Sequence, residues 1–183
     1  LTFNNGALRI SGDMTLANRA VALDGAGTFE ADAGTTLTVT NAVTGAGSLT
    51  KAGPGSLIFS AANLYTGSTT VRQGVVTLGL TDALPTATAL VLGDGATAGT
   101  LDLGAYDQTI GTLGVSSTGG AVTNTLVIGA GRTLTVNGNV AVGANVDGSS
   151  ANLTATGGGT LVVATNGGTF RTSLVTIGTD KSG

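Results

Sequence analysis

Apolar residues in this chain alternate with polar ones in short bursts, and each burst stops at Gly or Asn. "TTLTVT" places Leu37 and Val39 on one side and Thr36, Thr38 and Thr40 on the other. A period of two is the signature of a half-buried strand. The scheme recurs in "GSLIF" (Leu57 and Phe59 inward, Ile58 opposite), "ALVLG" (Leu90, Leu92) and "GTLDLG" (Leu101, Leu103, with Asp102 turned to water). It returns at Leu126/Ile128, Leu134/Val136 and Leu161/Val163. Between the bursts stand turn clusters such as "NNG", "GPG", "GDG", "NGN" and "NGG". No stretch combines helical periodicity with capping residues, so the chain is expected to be all-β.

A sandwich or barrel would satisfy this pattern, but the bursts also repeat. "GTFEAD", "GSLTKA" and "TTVRQG" begin at Gly27, Gly47 and Thr69, and "LVLGDG" and "TIGTLG" at Leu90 and Thr109. A second set, "TLTVTNA", "SLIFSAA" and "VVTLGLT", begins at Thr36, Ser56 and Val75. A step of roughly 20 residues containing several short strands is a solenoid signature. The expected fold is a parallel β-helix, a single elongated domain over residues 1–183, with less regular coils of the same solenoid over 141–183.

Composition agrees with a narrow lumen. Hydrophobic residues make up 41% of the chain but aromatics only 3%, so Leu, Val, Ile and Ala must build the core. The 32 glycines suit corners that need φ > 0, and outward Thr is both β-branched and polar. A chain this apolar, with 9% charged residues, is not a disordered one.

The same composition removes whole classes of function. Seven basic residues are scattered and the net charge is −3, which argues against nucleic acid and against anionic membrane surfaces. No apolar run reaches the roughly 18 residues of a membrane-spanning helix, so direct membrane insertion is not expected. With no His and no Cys there is no Ser-His-Asp triad, no thiol nucleophile and no His or thiolate metal site. Calcium-binding nonapeptides are missing as well. The expectation is no catalytic, cofactor-binding or metal-binding residue. The chain opens on Leu1 in mid-pattern and reads as an internal piece of something longer.

One stretch is more specific. "LTKAGPGSLIFSAANLYTGSTTVRQGVVTLG", residues 49–79, resembles the passenger-associated transport repeat of bacterial autotransporters, L-T-K-x-G-x-G-T-L-x-L-S-G-x-N-x-Y-T-G-x-T-x-x-x-x-G-x-L-x-x-G. Leu49, Thr50, Lys51, Gly53, Gly55, Leu57, Ser60, Asn63, Tyr65, Thr66, Gly67, Thr69, Gly74 and Gly79 match. Ser56, Phe59, Ala61 and Val76 depart mildly from it. The resemblance extends over residues 1–140 and is compositional beyond. It implies a right-handed parallel β-helix in a secreted passenger, displayed at the cell surface and tethered through the outer membrane. It also implies a C-terminal outer-membrane β-barrel in the parent chain, and a stalk that aids folding and secretion. Adhesion to a host-cell or surface receptor, or self-association, is the implied surface role.

The alternative is a carbohydrate-active β-helix similar to polysaccharide lyases, or another ligand-binding solenoid. Lyases cluster carboxylates beside a basic residue. Asp94, Asp102 and Asp107 lie close in sequence, as do Asp24, Glu30 and Asp32, but no Lys or Arg stands between Arg72 and Arg132. Thr-x-Thr at Thr36–Thr38 and Thr133–Thr135 would suit an ice-binding array only if it recurred on one face of nearly every coil. Ile58, Val91, Val127 and Val162 would form a sticky stripe only if they shared a face.

Overall fold

The computed structural model describes residues 1–117, 122–142, 152–163, 170–172 and 175–177. Every strand pair in it is parallel and no helix occurs among the described residues. Two sheets of eight strands run the length of the chain. The first holds Gly6–Ile10, Gly27–Ala31, Leu49–Ala52, Thr69–Val71, Ala89–Gly95, Thr112–Ser117, Val140–Val142 and Phe170–Thr172. The second holds Met14–Leu16, Thr36–Val39, Ser56–Phe59, Gly74–Leu78, Gly99–Asp102, Thr123–Val127, Asn152–Thr156 and Val175–Ile177. Consecutive strands alternate between the sheets, so the chain winds as a β-solenoid.

The lumen is filled by columns of register partners. Leu37, Leu57, Val76, Leu101, Leu126 and Ala155 stack in the second sheet, all of them buried. Leu8, Phe29, Lys51, Val71, Leu92, Val115 and Val142 stack in the first, at steps of 21, 22, 20, 21, 23 and 27 residues. The alternation read from sequence holds: Leu57 and Phe59 are fully buried while Ile58 between them is not. Leu161 and Val163 are only half-buried.

The uneven step explains which repeat alignments survive. Thr36, Ser56 and Val75 are direct partners, as expected. Gly27 instead stacks on Leu49, and Leu90 on Leu113, so the alignments begun at Gly47 and Thr109 are out of register. Gly47 belongs to a corner. A Cβ there would collide with the Gly25 carbonyl one coil earlier, so only hydrogen fits.

The third face is interrupted. Thr2–Phe3, Val21–Leu23 and Val43–Thr44 pair at one end, and Gln108–Ile110, Thr133–Val136 and Thr160–Val163 pair farther along. Between them, residues 60–68 and 79–88 form no strand on that face. Side chains take over the missing rungs. Asn63 Oδ1 accepts from the Val43 N–H at 2.8 Å and Nδ2 donates to the Ala83 carbonyl at 2.8 Å. Gln108 does the same for Leu84, accepting from its N–H at 3.0 Å and donating to its carbonyl at 3.1 Å. A buried carboxamide carries one donor and one acceptor side by side, as a peptide does.

Candidate functional site

The charged residues come first, because a lyase-like centre would be built from them. Arg72 donates to Asp94 at 2.9 Å, and Thr97 donates to the same carboxylate through its N–H at 3.1 Å and its hydroxyl at 2.7 Å. Burial pushes Asp94 up, but these hydrogen bonds outweigh it and hold the carboxyl below its usual range. Asp107 accepts from the Thr133 N–H at 2.8 Å and has Arg132 at 3.9 Å. Asp102 caps the Gly104 N–H two residues on, at 2.8 Å. Asp32 is paired with Arg9 at 2.9 Å, and Glu30 lies 3.9 Å from the same guanidinium. The arginines distant in sequence are therefore brought beside these carboxylates, as ion-pair partners at corners. No group of three potential metal ligands occurs among the described residues.

The Thr and apolar rows do not converge either. Thr36–Thr38 lies in the second sheet and Thr133–Thr135 in the third face. Ile58 and Val127 belong to the second sheet, Val91 to the first and Val162 to the third face, so they form no common stripe.

What does converge is the stretch around residues 49–79. Lys51 points into the lumen, 1% exposed, between Phe29 and Val71. Its ammonium donates to the carbonyls of Ala52 (2.7 Å), Gly53 (2.8 Å) and Gln73 (3.1 Å). Three protons meet three acceptors, which is what makes a buried lysine tolerable. Burial lowers its pKa to about 8, against a smaller opposing influence of Glu30. Gly74, at φ +77°, turns the corner beside it; a Cβ there would press on the Gly55 and Gly53 carbonyls. Tyr65 is buried, and its hydroxyl lies 2.6 Å from Thr69 Oγ1, which lies 2.9 Å from Thr88 Oγ1; Thr88 donates to the Gly67 carbonyl at 3.1 Å. Outside this buried network, Leu64 stands 65% exposed at the rim of a groove of about 350 Å³. Asn63, Tyr65, Leu84, Pro85 and Thr88 line it further.

The sequence model of the passenger-associated transport repeat matches residues 49–78. Residues 49–78 are an autotransporter passenger repeat. Over 169 residues, 91% of the chain is 32% identical to the protein named Adhesin BmaC autotransporter of Brucella suis biovar 1 (strain 1330). The chain spans 5% of that relative's length. No solved structure matches the chain. An autotransporter passenger is secreted to the bacterial cell surface and tethered through the outer membrane, and the repeat places this chain there. The geometry gives the repeat's residues physical roles. Leu49, Leu57 and Phe59 fill the lumen, Lys51 and Gly74 hold one corner, and Asn63, Tyr65 and Thr69 hold the coil where strand pairing fails. Sequence periodicity missed the inward lysine and the two carboxamide rungs. The one signal for Asn63 was its place in the repeat's pattern; Gln108 offered none.

Proposed function

We propose that the chain is a non-catalytic β-helical stalk segment of an autotransporter passenger, one continuous solenoid over residues 1–183. In this reading it aids passenger folding and secretion and presents an adhesive or self-associating surface. The parent chain carries a C-terminal outer-membrane β-barrel. The carrying observation is the use made of the repeat's polar residues: Lys51, Asn63, Tyr65 and Thr69 all bond inward, Lys51, Asn63 and Thr69 from one coil to the next and Tyr65 to Thr69. A lyase-like centre is less well supported, because Asp32, Asp94, Asp102 and Asp107 are engaged with arginines and backbone N–H groups. The name of the Brucella relative supports the adhesive part.

The stalk role predicts that stacking and display rise and fall together. Leu57→Ala removes a fully buried side chain from the central column and should cost about 2–5 kcal/mol in a denaturant melt. Leu57→Asp should cost more, by burying a carboxylate without a partner. Thr38→Asp, one column outward, should change stability by only about 0.5 kcal/mol. In the parent protein on intact cells, surface labelling should fall for Leu57→Asp and hold for Thr38→Asp. Normal display of the unfolded Leu57→Asp segment would separate coil stacking from secretion and end the proposal.

A further inference from the structure

We propose that a notch on the outer face of the first sheet binds a hexose unit of a neutral glycan. This goes beyond the stalk role and rests, for its setting, on the adhesive part of the proposed function. Register places Arg9, Glu30, Ala52 and Arg72 in one outward column, one residue from each coil. Ala52 is the short member, and a cavity of about 450 Å³ opens above it. The walls come from coils two rungs apart, about 10 Å, which leaves room for one ring with a hydrogen bond on each side. Those walls are held in place before any ligand arrives. Arg9 forms a fork with Asp32 at 2.9 and 3.2 Å. Arg72 donates to Asp94 at 2.9 Å, and the Thr97 hydroxyl bridges that carboxylate and the Arg72 carbonyl, 2.7 Å from each. The floor, residues 52–54, is fixed from beneath by Lys51, whose ammonium donates to the Ala52 and Gly53 carbonyls. Groups fixed in advance lose little freedom on binding.

The lining selects the ligand. The Glu30 carboxylate accepts no hydrogen bond among the described residues, and its ion pair with Arg9 is 3.9 Å long. The Gln73 carboxamide and the Thr28 hydroxyl, both half-buried in the walls, make no hydrogen bond there either. A guanidinium carries five N–H groups, and each arginine spends at most two of them on its aspartate. The charges cancel: Arg9, Arg72 and the underlying Lys51 stand against Glu30, Asp32 and Asp94. A uronate, a phosphate or a cationic amine would upset that balance. Sugar hydroxyls leave it intact, because they donate to the carboxylate and accept from the guanidiniums. Ala52 and Pro54 offer a small apolar floor to the C–H face of a ring. A peptide strand has no sheet edge to join here, because Leu49–Ala52 is paired on both sides.

The test is saturation-transfer NMR on the 183-residue chain with the methyl glycosides of glucose, galactose and mannose as probes. Galacturonate, glucosamine and N-acetylalanine methylamide serve as anionic, cationic and peptide comparators. At least one neutral glycoside should bind, and at least tenfold tighter than every comparator. Ala52→Phe, which fills the notch from its floor, should weaken that binding at least tenfold, and Gln73→Ala severalfold. Thr77→Phe, on the second sheet, should leave it unchanged. Thermal melts establish that the variants fold; Thr28→Tyr replaces Ala52→Phe if that chain does not. No binding of any neutral glycoside, tighter binding of a comparator, or undiminished binding in the folded Ala52→Phe chain would overturn the assignment. Adhesion of cells displaying the parent protein to a surface coated with the bound sugar is read separately, and should fall with Ala52→Phe. Cells that do not adhere although the isolated chain binds would remove the adhesive reading and leave the sugar site.

Discussion

Lys51 shows what a charge in the lumen requires. Its neighbours in the column, Phe29 and Val71, are apolar, and only the corner carbonyls meet its ammonium. Its native pKa of about 8 lies below the ordinary 10.5, so the native state releases its proton before the unfolded chain does. Below about 8 both states are protonated and the burial cost is constant. Above it the unfolded state binds more protons, so stability rises with pH. Burial raises the Tyr65 hydroxyl above its ordinary 10.0, which reverses the trend once tyrosine ionises in the unfolded chain. Urea midpoints should therefore climb between about pH 8 and about pH 10 and fall above that. Lys51→Met should abolish the climb and keep the fall; a climb retained in that variant would show that another group titrates.

At the scale of the coil, the weak element is the stretch without strands on the third face. Asn63 is 3% exposed, and its carboxamide joins the coil before to the coil after. Asn63→Ala leaves the Val43 N–H buried without a partner and should cost about 1–3 kcal/mol. Leu64→Ala, on the exposed neighbour, should stay within about 0.5 kcal/mol. Hydrogen exchange should locate the loss at Val43, Asn63 and Leu64; uniform acceleration across the second sheet would contradict a local rung. These differences mark where sequence reading succeeded and where it stopped. Inward and outward positions were legible at Leu57, Ile58 and Phe59 because strand periodicity depends on local geometry alone. The register of Thr36, Ser56 and Val75 was legible because that part of the coil keeps its length. Gly27 was misaligned because the coil step varies by a few residues at the corners. The groove was illegible because it lies where Pro85 has no N–H to offer the Asn63 carbonyl, 22 positions earlier in the chain. A carboxamide standing in for a peptide leaves no periodic trace.

For the molecule as a whole, the direction of the hydrogen bonds matters as much as their number. Strands lie across the solenoid and their rungs run along it, so a load on a tethered stalk acts on successive coils in series. Side-chain links at Asp13–Thr36, Asp82–Thr109 and Asp107–Thr133 lie along the same line, each 2.8 Å long. The rung then resists by opening one bond after another, and not by sliding many together. A coil contributes roughly 5 Å of length while folded. Released, its residues can span roughly 70 Å at the limit of extension. Pulled from its ends in an optical trap, the chain should lengthen in increments of about that size at low force. A single cooperative rupture of the whole segment would refute serial loading. If the chain is the stalk proposed above, it would yield like a row of sacrificial links, giving way coil by coil under a tug and rewinding when the tension drops.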